Sequence, residues 1–352
     1  MRVAITGGAG FIGTAVISYL LDNTSHTVIN LDKLTYASVK ASSNEFSKNK
    51  RYVFLKADVC DFSILREIFE LQRPDMVLHL AAETHVDTSI SDPQSFVDAN
   101  VLGTYSLLEA TRSYWSTLKG KASEQFRFLH VSTDEVFGDL AFGEKPASED
   151  HTYIPSSPYS ATKACSDHLV QAWGRTYRLP VIISRSSNNY GPYQFPEKLI
   201  PHVILSAIRG KRIPIYGDGM QIRDWLFVED HARALVTILS EGSVGHSYNV
   251  SASHEQKNID VVHTICDFLE ELAPAKPSGV RHYRDLIEFV NDRPGHDRRY
   301  ALDTSKIEME LGWFPEKPFK KGLLSTVKWY LENNSWWEDI LCTEEKFNQG
   351  SN

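Results

Sequence analysis

Five residues in two short stretches carry the groups that proton transfer at a hydroxyl-bearing carbon needs: Thr133, Asp134 and Glu135, then Tyr159 and Lys163. A spacing of four places a phenol and an amine on one helical face. A lysine cation beside a phenol favours the phenolate and draws a pKa of about 10 towards the range of a working base. The adjacent acids supply a second proton-transfer pair. Neither feature is specific alone, because Tyr-x-x-x-Lys is common on amphipathic helices and paired acids at a strand end are more often solvated.

The elements that must position these groups are legible around them. Residues 126–131 are β-branched and aromatic, the composition of a strand whose carboxyl end delivers 133–135 to a sheet edge, where open α/β sheets place ligands. Ser156-Ser157-Pro158 is a hydroxyl cap followed by proline at the first helical position, which predicts a helix over 158–177.

At the start of the chain an apolar strand, 2–6, runs into Gly7-x-x-Gly10-x-x-Gly13 and then an apolar helix. Glycines at this spacing let the backbone approach a pyrophosphate at the positive end of the helix dipole. The next strand ends at Asp32, where a carboxylate accepts hydrogen bonds from a ribose and repels a 2′-phosphate, so NAD is expected rather than NADP. Asp58 and Ala81-Ala82 end two further strands, at positions where adenine and the ribose chain would cross the sheet edge.

The strand–helix alternation continues with strands over 52–57, 76–80, 126–131 and 181–184 and helices over 63–71, 95–114 and 158–177. Without hairpin signals this predicts a Rossmann-type, doubly wound parallel α/β sheet covered on both faces. From Asn188 the texture changes to loops rich in Gly, Pro and charge, with strands expected at 213–216 and 246–250 and helices at 228–239, 258–272 and 319–333. The expected organisation is a cofactor domain over 1–187, rejoined by 225–250, a smaller α/β substrate domain from 188–224 and 251–340, and a loosely held tail over 341–352.

Composition narrows the function classes. The chain has 352 residues, 42% hydrophobic, and a net charge of −8, which disfavours nucleic acid and anionic membranes as partners. Four widely separated cysteines without metal-ligand spacing predict reduced thiols, no metal site and a cytoplasmic location. No apolar run approaches the roughly 20 residues of a membrane span.

Together the motifs resemble the nucleotide-sugar 4,6-dehydratases of the extended short-chain dehydrogenase/reductase superfamily. Carrying the resemblance are Thr6 to Gly13, Asp32-Lys33-Leu34-Thr35-Tyr36, Ala81 to Asp87, Ser132 to Val136, Tyr159 with Lys163, Asn188 to Pro192, Phe195 to Pro201, Gln221 to Trp225, and Asp292 to Asp297. Phe137 stands where the family usually has tyrosine, Thr88 where arginine is common, and Ser38-Val39 where Gly-Asn is typical. None of the three removes a group the chemistry requires.

The resemblance implies a dTDP-hexose substrate, dTDP-glucose, with UDP-glucose as the alternative, and a homodimer. It implies that Tyr159 takes the O4 proton, aided by Thr133 and Lys163, while the C4 hydride passes to NAD. Glu135 then removes the C5 proton and Asp134 protonates the departing O6. NAD would be held by Gly7, Gly10, Phe11, Ile12 and Gly13, by Asp32, Lys33 and Thr35, by Asp58 and Val59, and by Leu80, Ala81, Ala82 and Thr84, besides Tyr159 and Lys163. The nucleotide sugar would meet Thr84, His85, Asn188 and Glu197 at its hexose, and Asn189, Lys198, Leu199, Tyr216, Arg223, Asn258, Arg293 and His296 at its nucleotide. A non-catalytic binding protein of the same fold should have lost Tyr159, Lys163, Asp134 or Glu135. All four are present.

Overall fold

The computed structural model describes residues 1–35, Ser38 and residues 46–349. Of the residues named above, Tyr36 and Val39 lie outside the described residues, as does the end of the expected tail, 350–352.

Twelve strands are described: β1 (Arg2–Thr6), β2 (Thr27–Asp32), β3 (Tyr52–Lys56), β4 (Met76–His79), β5 (Arg127–Thr133), β6 (Val181–Ser186), β7 (Asn188–Tyr190), β8 (Ile213–Tyr216), β9 (Ile222–Phe227), β10 (Ser247–Val250), β11 (Glu255–Lys257) and β12 (Ile287–Val290). Seven of them form one sheet in the order β10-β6-β5-β4-β1-β2-β3, paired in parallel throughout. The strand order reverses between β1 and β4, which is where a doubly wound sheet opens a ligand crevice at its carboxyl edge.

The sheet is apolar on both faces because helices cover both. Val3, Ile5 and Val28 pack with the helices Phe11–Asn23 and Val228–Glu241, whereas Ala4, Ile29, Val77 and Phe128 pack with the helices Phe62–Gln72, Gly103–Trp115 and Pro158–Tyr177. A further core gathers Tyr190, Ile204, Ile213, Phe227, Ile265 and Leu323 beside a three-stranded sheet, β11-β9-β7, and a two-stranded one, β12-β8.

Two expected features differ. The single helix over 95–114 is instead a short helix Pro93–Phe96, a π-helical turn Val97–Leu102 and a helix Gly103–Trp115. The wider turn turns Asn100 inward, where it accepts from the Glu83 amide at 2.8 Å and donates to the Glu83 carbonyl at 3.0 Å and the Thr162 hydroxyl at 2.9 Å. Such bulges are frequent beside functional sites. Residues 341–349 of the expected tail belong to a helix, Asn334–Gln349, whose start, ahead of that stretch, is anchored where Trp337 Nε1 donates to the Tyr330 carbonyl at 2.9 Å and Trp336 packs on Trp329.

Candidate active site

The loop after β1 is shaped by contacts that exclude side chains. Gly7 has φ +71°, and a Cβ there would lie 2.6 Å from the Ala81 amide nitrogen; a Cβ on Gly13 would lie 2.4 Å from the Gly7 carbonyl oxygen. Both glycines therefore draw backbone close to backbone. Gly10, by contrast, meets only the Gly7 oxygen, at 3.3 Å, and lines the open cleft with Phe11 and Ile12. Asp32 is buried at the end of β2, its carboxylate accepting from the Ala9 amide at 3.0 Å and the Leu34 amide at 2.8 Å. Lys33 is shared between Asp58 at 3.8 Å and Glu83 at 3.9 Å.

This loop forms one end of a cleft of about 330 Å³ whose other end holds the five acid–base residues. Thr35, Val59, Leu80, Ala81, Ala82 and Thr84 line it too, so of the residues expected around the cofactor Asp58 alone is not in its lining. Ser132 Oγ, Asp134 Oδ2, Ser187 Oγ and Asn188 Oδ1 are buried without a hydrogen-bond partner, and all four residues line the cleft. Buried polar atoms are almost always partnered, so their gathering here marks a place made for a polar ligand.

β5 runs two residues further than expected, to Thr133, before a 3-10 turn Asp134–Phe137. The Thr133 hydroxyl donates to Asp134 Oδ1 at 3.2 Å and accepts from the Glu135 amide at 3.3 Å. The helix Pro158–Tyr177 begins as expected, with a Ser157–Ser160 capping box and Pro158 at its first position. Its first two turns carry Tyr159 and Lys163, both buried, and the Lys163 ammonium donates to the Val131 carbonyl at 2.8 Å.

Burial dominates the electrostatics. It drives Asp134 well above the carboxylate range, reinforced by the neighbouring charge of Glu135. Glu135 is also raised by burial, but Arg223, Arg293 and Lys198 all oppose the shift. The environment thus favours a neutral Asp134, able to donate a proton, beside a carboxylate supported by three cations. Lys163 is pushed down to about 8 by burial, with Asp167 acting against it. Tyr159 is raised, first by burial and then by Glu135, with a Thr133 hydrogen bond opposing. Burial and the nearby acid thus act against the expected draw of Lys163 on the phenol, and the ammonium is directed at Val131.

A buried network stands beneath the helix. Asp167 accepts from Arg185 Nε at 3.0 Å and from the Tyr153 hydroxyl at 2.6 Å, and lies 3.4 Å from His130 Nε2. Phe137 packs edge-on to Tyr153 and lies under the Arg185 guanidinium.

The residues expected at the nucleotide sugar divide into two groups. Thr84, Asn188, Asn189, Glu197 and Lys198 line the cleft with the catalytic candidates. Lys198 Nζ donates to the Thr84 carbonyl at 3.0 Å, and His85 Nε2 lies 3.9 Å from Glu197. Tyr216, Arg293 and His296 are not in that lining but stand beside it, with Arg293 close enough to act on Glu135: Arg293 lies 3.6 Å from Asp87, and the Tyr216 ring is edge-on to His296. The Asn258 amide donates to the Gln221 carbonyl at 2.9 Å, and Gln221 Nε2 donates to Asp292 at 3.1 Å, tying Asn258 to the loop that carries Arg293 and His296. Leu199 begins the helix Leu199–Ile208 and packs on the core beside β8. Arg223 is buried, donates to the Ile222 and Asp297 carbonyls at 2.9 Å each, and stacks over Tyr300 at 4.3 Å.

Sequence reasoning missed Glu83, Ser132, Ser186, Ser187 and Gln194 as cleft residues, whereas Phe195, in the stretch 195–201 expected at the nucleotide base, does line the cleft. A signal existed for four of them: Glu83 adjoins Ala81-Ala82, Ser132 precedes Thr133, Ser186 ends β6 and Ser187 follows it.

The model of the GDP-mannose 4,6 dehydratase family matches residues 4–326. The dTDP-glucose 4,6-dehydratase of Neisseria meningitidis serogroup B is 56% identical over 340 residues, 97% of this chain and 96% of that protein. That of Haemophilus influenzae is 56% identical over 335 residues, 95% and 99% of the two chains. Among solved structures, the Streptomyces venezuelae dTDP-glucose 4,6-dehydratase with NAD and dTDP bound has a TM-score of 0.87 at 39% identity, covering 97% of this chain and 100% of that one. A doubly wound sheet whose switch-point cleft joins a glycine loop to a Tyr/Lys pair is the architecture of a short-chain dehydrogenase/reductase. With an acid pair in that cleft and these relatives, the chain belongs to the dTDP-glucose 4,6-dehydratase family.

Proposed function

We propose that this chain is an NAD-dependent lyase converting dTDP-glucose to dTDP-4-keto-6-deoxyglucose. The observation that carries the reading is the Asp134–Glu135 pair, the first buried and the second half-buried, in the same cleft as Tyr159 and Lys163. A dehydrogenase needs only the second pair. The acids are needed when water must leave.

The glycine loop fits a dinucleotide, since Gly7 and Gly13 admit no Cβ and Asp32 presents a buried carboxylate at the end of β2. Bound NAD supplies a hydride acceptor for C4 and later a donor for C6. The chain's own residues handle protons. Tyr159 receives the O4 proton as its phenolate, oriented by Thr133 and with the Lys163 charge one helical turn away, and once C4 is a ketone the C5 proton becomes acidic. Glu135, backed by Arg223, Arg293 and Lys198, removes that proton. Asp134, held neutral by burial, gives its proton to O6 as the C6–O6 bond breaks and water departs, and Glu135 later returns its proton to C5.

Thr84, His85, Asn188 and Glu197 are assigned to the hexose, and Asn189, Lys198, Tyr216, Arg293 and His296 to the nucleotide, with Arg293 as the bidentate candidate for the diphosphate. Arg223 is assigned to tuning the acid pair, because its buried guanidinium acts on both carboxyls. Incubation with dTDP-glucose, UDP-glucose and GDP-mannose followed by mass spectrometry tests the reading. It requires loss of one water from dTDP-glucose; unchanged mass, or isomerisation alone, contradicts it.

The domain division is proposed along the same lines, 1–187 with 225–250 holding the cofactor and 188–224 with 251–340 holding the nucleotide sugar. A homodimer is proposed because the helices around the π turn and Pro158–Tyr177 leave Ile90, Val97, Leu102, Tyr105 and Tyr177 exposed, an apolar face suited to self-association. Among the described residues no helix is long and apolar enough to cross a membrane. A cytoplasmic location is proposed from the free cysteines.

A further inference from the structure

Asp87 stands in the first turn of the helix Val86–Ser91, just beyond β4, yet its carboxylate is engaged by residues far away in the chain. Oδ1 lies 3.6 Å from Arg293 Nη1, and Oδ2 accepts from the Tyr216 hydroxyl at 3.5 Å. Arg293 and Tyr216 are two of the residues assigned above to the nucleotide. The same segment is fastened twice more, through the Thr84 carbonyl to Lys198 at 3.0 Å and through His85 to Glu197 at 3.9 Å.

A guanidinium stays charged at every accessible pH, so a partly enclosed one is best served by an anion nearby at all times. The Asp87 contact is loose: charge-assisted bidentate pairs close to about 2.7–2.9 Å, and a diphosphate offers both more charge and better-matched oxygens. The side chains retain 37% and 22% of their exposure, so the pair is neither deeply desolvated nor inaccessible to exchange. A carboxylate so placed keeps its charge near any second anion that approaches Arg293. It must be displaced or must repel.

We propose that Asp87 is an internal counter-ion for Arg293 that the substrate's diphosphate replaces, so that it sets nucleotide affinity by competition. This rests on the reading of Arg293 as a diphosphate ligand. The exchange makes Asp87 a determinant that weakens binding: it tunes the site towards release of a diphosphate-bearing product at the expense of tightness. No bond is made or broken in the step; one ion pair is traded for another.

Isothermal titration with dTDP as the probe tests this on the wild-type protein, Asp87→Asn, Arg293→Met and the double variant, with Asp87→Ser as a second removal of the charge. Partly exposed ion pairs contribute modestly, so Asp87→Asn and Asp87→Ser should tighten dTDP binding by about three- to fivefold. Arg293→Met should weaken it, and in that background Asp87→Asn should change nothing. Unchanged or weaker binding by both Asp87 variants, with Arg293→Met still weakening, overturns the counter-ion role and leaves Arg293 as a ligand. Unchanged binding by Arg293→Met removes Arg293 from the diphosphate site, and the proposal with it.

Discussion

The Lys163 ammonium donates to the Val131 carbonyl, 2.8 Å away, so the helix that carries Tyr159 is tied to the strand that carries Thr133 by a buried charge. The link holds the two halves of the acid–base site in register. It does so at a cost in stability, since burial pushes the lysine down to about 8 from its ordinary 10.5.

Lys163→Met should therefore abolish turnover while raising stability, by about 1–2 kcal/mol at pH 7, as replacement of buried charges by apolar groups often does. The sign follows from the depressed pKa: the unfolded chain binds the proton more tightly, so the penalty is fully present below pH 8 and fades between pH 8 and 10.5. Thermal unfolding at neutral and at alkaline pH checks this. A variant less stable than the parent at neutral pH contradicts it.

Glu135→Gln keeps shape and removes the base, so C4 oxidation should survive while elimination stalls. Enzyme loaded with NAD should then build up NADH absorbance on adding dTDP-glucose, without solvent deuterium entering C5. Normal dehydration by this variant would assign the C5 base to another residue.

The cofactor cradle makes a graded prediction. Gly13→Ala forces a Cβ to within 2.4 Å of the Gly7 carbonyl, whereas Gly10→Ala meets the same oxygen at 3.3 Å, so NAD binding should fall much further in the first variant. In the wild-type protein NADP should bind at least about tenfold more weakly than NAD, because Asp32 faces a 2′-phosphate. Parallel titrations decide both, and equal NADP affinity removes Asp32 from that role.

Where local signals fix conformation, the sequence was readable. The Ser157-Pro158 cap and the alternating strands and helices predicted the helix Pro158–Tyr177 and the parallel sheet before any packing was known. Hydrophobic period, however, does not distinguish a π turn from an α one, so the expected helix over 95–114 hid the inserted residue that turns Asn100 towards Glu83. β9 was also illegible as a strand, since Arg223 and Asp224 interrupt its apolar pattern and are accommodated only because Tyr300, Asp297 and His254 close around them. The site's motifs were visible, but the pKa of Tyr159 was not: it depends on burial and on Glu135, which spacing along a helix cannot report.

Nucleotide selection should be partial. An apolar pocket gains only about 1–3 kcal/mol from a methyl group, so dTDP-glucose should exceed UDP-glucose by roughly one to two orders of magnitude in kcat/KM. Steady-state comparison of the two substrates measures it. Parity would leave the elimination chemistry intact and overturn the thymidine preference.

The central claim is that one cleft oxidises C4, eliminates water across C5 and C6, and returns the same hydride to C6. Following dTDP-glucose deuterated at C4 by NMR tests it most directly. The account predicts that deuterium appears at C6 of a 4-keto-6-deoxy product, with a proton from solvent at C5. Deuterium that stays at C4 of a product retaining its C6 hydroxyl would contradict it, and would mark the cleft as one that oxidises and re-reduces without elimination.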